Sequence, residues 1–247
     1  MDSTTQQPHR THDSSAEEQA REIAAGLEGV RERIAAAARE AGRDPEGIRL
    51  LPVSKTVPAE RLRAAVAAGC RELGENKVQE AAEKADHLAD HPDLRWAMIG
   101  HLQSNKTRQV ATFAHELHAL DSLKVARGLH RALDELGRTL DVFVQVNSSA
   151  EPQKSGLAPG DVEALLVELP ALPTLRVRGL MTLALNSDDQ GAVAACFERT
   201  AALRDALPPE LLGRELSMGM SGDFALAIAH GATTVRVGQA IFGAREA

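Results

Sequence analysis

No tyrosine occurs in this 247-residue chain, and the aromatic residues together make up only 2% of it. A core must therefore be built from Ala, Leu and Val, which a hydrophobic content of 43% can supply. Cysteine is almost as scarce. Cys70 and Cys196 stand far apart and in no metal-ligand spacing, which excludes a disulfide framework or a cysteine-built metal site. No apolar run reaches the roughly 18 residues that a membrane helix needs. No secretory apolar segment follows Met1, so the cytoplasm is the expected compartment. Positive charge is not in excess either. A formal net charge of −7 argues against a nucleic-acid partner, which requires a clustered basic surface. The lack of a long apolar patch points to a monomer.

Residues 1–15 are polar and are expected to form a disordered tail, with His9 and His12 as solvated side chains. Ile23, Leu27, Val30 and Ile34 then recur at the spacing of one helical face, which predicts a helix over 16–41. Gly42 ends it, and Asp44-Pro45 turns the chain. Beyond this point short apolar runs alternate with amphipathic stretches. The runs are 48–53, 70–73, 95–99, 116–120, 141–146, 175–181, 215–218 and 233–237. The helices between them fall near 58–68, 76–89, 104–113, 122–136, 160–169, 188–206 and 222–230. Such alternation implies parallel strands with right-handed crossovers. Eight strands in one domain, 16–247, suit a closed (β/α)₈ TIM barrel with an extra N-terminal helix. A doubly wound open sheet is the alternative.

In such barrels the site lies where the strands end. Polar and glycine residues follow the apolar runs repeatedly here: Ser54-Lys55-Thr56, Gly74-Glu75-Asn76, Gly100-His101, Asp121-Ser122, Asn147, Thr182, Gly219-Met220-Ser221-Gly222 and Gly238-Gln239. Lys55 is the distinctive one. At the end of a buried strand, partial desolvation would lower its pKa and expose an amine able to form a Schiff base. The plainer alternatives are a lysine that snorkels to the surface or pairs with Glu75. Ser221-Gly222 and Gly238-Gln239 have the makings of an anion site in the last two turns, since glycine lets the backbone approach a phosphate. They read equally as ordinary turns. Arg236 lies on the last strand and needs an acceptor, either a neighbouring protein group or a ligand.

The segments VSKT (53–56), GENKVQE (74–80), IGHLQSNK (99–106), KSG (154–156), RGLM (178–181), LSMGMSGD (216–223) and RVGQAIFG (236–243) stand in family order. Together they resemble the pyridoxal phosphate (PLP) homeostasis protein family over residues 50–243. The resemblance implies a barrel like the N-terminal domain of alanine racemase, PLP carried as a Schiff base on Lys55, and a role in vitamin B6 homeostasis. It implies phosphate contacts from Ser221, Gly238 and Gln239, an arginine, Arg236, facing the pyridine nitrogen, and pocket positions at Asn76 and Met220. Lys154 falls where racemases carry an arginine. Gly222-Asp223 and Gln239 depart from the family pattern. A glutamine in place of a hydroxyl at 239 would lose one phosphate hydrogen bond while keeping the backbone N–H.

Racemases of this group use a tyrosine as second base, and this chain has none. A cationic Arg236 would also disfavour protonation of the pyridine nitrogen, making the ring a poorer electron sink. The expectation is a PLP carrier without efficient turnover and without catalytic or metal-binding residues, passing PLP to apo-enzymes. The alternatives are a weak PLP-dependent racemase or lyase using His101 or Lys154, and a PLP-independent barrel enzyme acting on a phosphorylated metabolite.

Overall fold

In the computed structural model, which describes residues 10–149, 151 and 153–243, the apolar runs become eight parallel strands. They are β1 (Arg49–Pro52), β2 (Glu72–Glu75), β3 (Arg95–Met98), β4 (Glu116–Leu120), β5 (Leu140–Val146), β6 (Leu175–Thr182), β7 (Glu215–Ser217) and β8 (Thr234–Val237). Each pairs with its sequence neighbour from β2 to β8, and β8 pairs with β1. The circle is completed between β1 and β2 by one isolated bridge, Val53 to Gly74. The result is a nearly closed TIM-like barrel, not a doubly wound sheet.

The intervening helices are α2 (Ala59–Ala67), α3 (Val78–His87), α4 (Thr107–Phe113), α5 (Leu123–Glu135), α6 (Val162–Leu166), α7 (Gln190–Ala206) and α8 (Phe224–Ala229). The α6 helix is shorter than expected because Pro170 and Pro173 break the stretch that follows it. A last short helix, α9 (Gln239–Phe242), was not expected. Strand β2 begins two residues later than the apolar run suggested. Gly69 adopts φ +97°, and the Cys70 amide donates back to the Ala65 carbonyl, so Cys70 belongs to the end of α2.

The first helix, α1, spans Arg10–Glu40. Residues 10–15, expected in the disordered tail, thus carry helical backbone, while 1–9 lie outside the described residues. Farther along, Ile23, Leu27, Val30 and Ile34 are buried against the barrel, as their periodicity requires. Each such side chain contributes roughly 1.5–3 kcal/mol of burial. Gly26 lets α1 cross α9 closely: a Cβ there would lie 3.0 Å from the Ala240 carbonyl oxygen and the Ile241 Cα.

Candidate functional site

A cavity of about 1340 Å³ opens at the C-terminal ends of the strands. Lys55, Asn76, Arg236 and Gly238 line it. Met220, Ser221 and Gln239 stand on its wall as well, so all seven residues singled out from the sequence come together. Lys154 and His101 also reach it.

Lys55 follows β1, half-buried, and makes no hydrogen bond or ion pair among the described residues. The carboxylate expected to compete for it is engaged elsewhere. Glu75 lies in β2, not in the loop beyond it; it is fully buried and is absent from the cavity wall. Period-two alternation turns it toward the helix layer, where Lys84 of α3 lies. Lys84 Nζ donates to Glu75 Oε1 at 2.7 Å, to Glu80 Oε1 at 2.6 Å and to the Ser54 carbonyl at 2.8 Å. Ser54 Oγ adds a 2.6 Å bond to Glu75 Oε1. The Thr56 amide donates to Glu80 Oε1 at 2.7 Å, and Thr56 itself holds φ +66°, costly for a β-branched residue. The backbone on both sides of Lys55 is therefore clamped from behind by one buried ammonium and its two carboxylates. Burial pushes the Glu75 carboxyl upward despite the Lys84 bond. Glu80, less buried, is drawn down by Lys84 and by the Thr56 amide, which outweigh its own burial.

Arg236 is 3% exposed. Among the described residues its guanidinium forms no ion pair, Asp223 acting on it only through its charge, and it donates to two protein acceptors: Nη1 to Ser217 Oγ at 2.6 Å and Nη2 to the Thr182 carbonyl at 2.9 Å. A guanidinium has five N–H donors, so most remain for the cavity. Burial lowers its pKa to about 10. An isolated buried cation is costly, and a ligand acceptor would offset that cost.

The turn after β7 carries Ser221. Gly219, at φ +93°, packs so tightly that a Cβ would lie 2.6 Å from the Ala227 side chain. Asp223, one of the departures from the family pattern, closes this turn by accepting from the Met220 amide at 2.5 Å. Among the described residues, the amides of Ser221 and Gly222 find no protein acceptor. Gln239 is exposed and opens α9, so its amide has no intrahelical partner. Gly238 is required by the barrel itself, since a Cβ would lie 2.7 Å from the Val53 carbonyl oxygen. Gly100 is required in the same way, by the Asn76 carbonyl 2.2 Å from its virtual Cβ.

The two alternative bases are both occupied. Lys154 Nζ pairs with Glu151 Oε2 at 2.5 Å and donates to the Ala184 carbonyl at 3.0 Å. His101 is exposed, with Nδ1 3.0 Å from Asp121 Oδ2.

Sequence reasoning missed Lys84, Glu80, Ser217 and His118, which stand behind the cavity wall and not on it. The Glu80–Lys84 spacing was the one available signal, and it reads as an ordinary solvated helix pair.

Comparison with known proteins gives the family and the fold. Residues 26–246 match the family model of the alanine racemase N-terminal domain. The pyridoxal phosphate homeostasis protein of Pseudomonas aeruginosa is 47% identical over 225 residues, 91% of this chain and 96% of that protein. The protein of the same name from Escherichia coli K12 is 41% identical over 230 residues, 91% and 97% of the two chains. This chain belongs to the pyridoxal phosphate homeostasis protein family. A family member of known structure, PipY of Synechococcus elongatus solved with PLP bound, superposes with a TM-score of 0.78 at 37% identity, covering 90% of this chain and all of PipY. Alanine racemase from Oenococcus oeni shares the fold, with a TM-score of 0.67 at 15% identity, and this chain spans 63% of its length. No helix of the described residues is long and apolar enough to cross a membrane.

Proposed function

We propose that this protein binds PLP in the barrel-mouth cavity, covalently through the Lys55 amine, and serves intracellular vitamin B6 homeostasis as a carrier without efficient turnover. The observation that carries this reading is the pairing of an unengaged lysine amine with a buried arginine that lacks a carboxylate, in one cavity of a family whose member PipY has PLP bound. When bound, PLP supplies an electrophilic aldehyde carbon and an aromatic nitrogen.

The residues present fit such a group. Lys55 offers the amine, and the Lys84 clamp fixes the backbone that aims it. Arg236 offers N–H donors to a ring nitrogen that must then remain an acceptor. Ser221, the free amides of its turn and the Gln239 amide suit a phosphate dianion. Asn76 and Met220 would border the ring. Residues 16–247 form the cofactor-holding domain. The cytoplasm, a monomeric state and apo-enzyme recipients belong to the same reading.

The absence of efficient catalysis follows from the chain's own groups. No tyrosine exists to serve as second base, and Arg236 disfavours the protonated ring. A second reading, slow amino-acid racemase or lyase chemistry, has the His101–Asp121 pair at the cavity rim in its favour.

The test is an absorbance spectrum of the purified protein before and after borohydride, followed by peptide mass mapping. A visible band that reduction abolishes, with the label on Lys55, is expected. A label mainly on Lys154 or Lys106 overturns the assignment. A colourless protein that takes up no PLP would favour a cofactor-independent barrel enzyme.

A further inference from the structure

Beneath the cavity a file of polar side chains runs through the barrel interior toward its opposite end. Arg236 Nη1 donates to Ser217 Oγ, which lies 2.8 Å from His118 Nδ1. His118 Nε2 lies 2.8 Å from Glu116 Oε2, and Glu116 is held in turn by Arg49 at 2.9–3.0 Å. His118 and Ser217 are wholly buried, Glu116 nearly so. Four strands contribute, β8, β7, β4 and β1, and the Phe143 ring of β5 packs on the imidazole with centroids 4.4 Å apart.

The sense of every bond follows from the two ends. Arginine can only donate, and a carboxylate held ionised can only accept. The Ser217 oxygen receives the Arg236 proton, so the hydroxyl's own proton needs another acceptor, and His118 Nδ1 is the one within reach. His118 then carries its proton on Nε2 and donates it to Glu116. With a doubly protonated His118, Ser217 would face two donors, His118 Nδ1–H and Arg236 Nη1, and the hydroxyl proton would have no acceptor. Burial also opposes a charged imidazole here, as do the nearby cations Arg236 and Arg49, against the pull of Glu116.

We propose that neutral His118 is a positioning residue for Arg236. By accepting a hydrogen bond from the Ser217 hydroxyl, it turns the lone pairs of Ser217 Oγ toward Arg236, which fixes one edge of the guanidinium while the Thr182 carbonyl fixes another. The remaining N–H groups are then committed to the cavity, where the ligand they suit is an unprotonated aromatic nitrogen. This last point rests on the PLP reading; the order of the chain does not.

Two measurements test it. In the parent protein without added PLP, nitrogen NMR of labelled histidine should show His118 neutral and protonated on Nε2 at pH values of about 6–8. A proton on Nδ1, or a doubly protonated ring, overturns the proposal. With PLP, His118→Phe, which cannot accept the Ser217 proton, should loosen binding by about five-fold or more, the size of one lost hydrogen bond. It should also shift the visible band. His118→Asn, whose carbonyl can accept that proton, should restore much of both. Parent-like affinity and band in His118→Phe would remove the positioning role. A parent protein that shows no visible band would sink the PLP reading instead, and the NMR result would still decide the chain. The NMR arm likewise stands if His118→Phe does not fold.

Discussion

Lys84 Nζ lies 2.8 Å from the carbonyl oxygen of Ser54, the residue before Lys55. The same ammonium holds Glu75 of β2, so it ties the two strands that share only one isolated bridge. The seam of the barrel that borders Lys55 is thus closed by a side chain where a backbone ladder is nearly missing.

Lys84→Met should therefore destabilise the protein strongly. It leaves Glu75 buried and unpaired, and one oxygen of that carboxylate already lacks a partner. Breaking a buried pair from one side costs about 3–5 kcal/mol. Urea unfolding should show this loss, and Lys84→Met with Glu75→Leu should recover part of it. A single variant as stable as the parent would mean that the clamp contributes nothing.

Stability should fall on acidification in two stages. Burial would raise the Glu116 carboxyl, but hydrogen bonds from His118 and Arg49, the Arg49 charge and, once acid protonates it, the His118 charge outweigh burial and hold the pKa at about 2. Its folded value lies below its ordinary 4.5, so its contribution is complete above 4.5 and is lost as pH falls toward 2. The difference corresponds to about 3 kcal/mol. His118 is also depressed, by burial first, so the unfolded chain takes up its proton below 6.5 before the folded one does. Glu75, raised by burial, works in the opposite direction. Subtracting the urea-midpoint profile of His118→Asn from that of the parent isolates the upper stage. A difference that stays flat from about pH 7 to pH 5 would show that His118 has an ordinary pKa in the folded protein.

At the proposed phosphate end, Ser221→Ala is the clean probe. It should weaken PLP retention by roughly 1–3 kcal/mol, the cost of an unmade hydrogen bond to a charged group. Competition with an apo-enzyme would measure it, and parent-like retention would place the phosphate elsewhere. Gly238→Val, which from the sequence looked like a second probe acting by steric exclusion, meets the Val53 carbonyl first. It should lower the melting temperature whether or not PLP is present.

With PLP bound, incubation with L-alanine or L-serine in D₂O should give at most slow α-deuteration without chiral inversion. General acid–base groups contribute about 10²–10⁴-fold each, and the tyrosine that would serve the second face is missing. Sustained inversion at about 1 s⁻¹ or faster, an ordinary enzyme rate, would mean that a second base exists. His101 and Lys154 would then be the residues to replace.

The barrel and the cavity wall were legible because both are written in short range. Strand–helix alternation announces the fold, and a residue just after a strand, such as Lys55 or Ser221, must face the mouth. The support behind the wall was not legible. Glu116 and His118 sit in an apolar strand as single polar residues, and their partners are 67 and 99 positions away. Lys84 looks like the solvated end of a helix pair until α3 is laid against β2. Glu75 was misplaced because Gly69 delays the strand, an effect of backbone handedness that apolar patterning does not register.

The close crossing of α1 and α9 at Gly26 has a practical consequence. Gln19 on the first helix and Gly243 after the last both border the cavity, so opposite ends of the described chain meet at its rim. A bulky label attached at Gln19 or at Gly243 would stand on that rim, beside the way in for the proposed cofactor. PLP uptake is therefore best measured on protein that carries no such label.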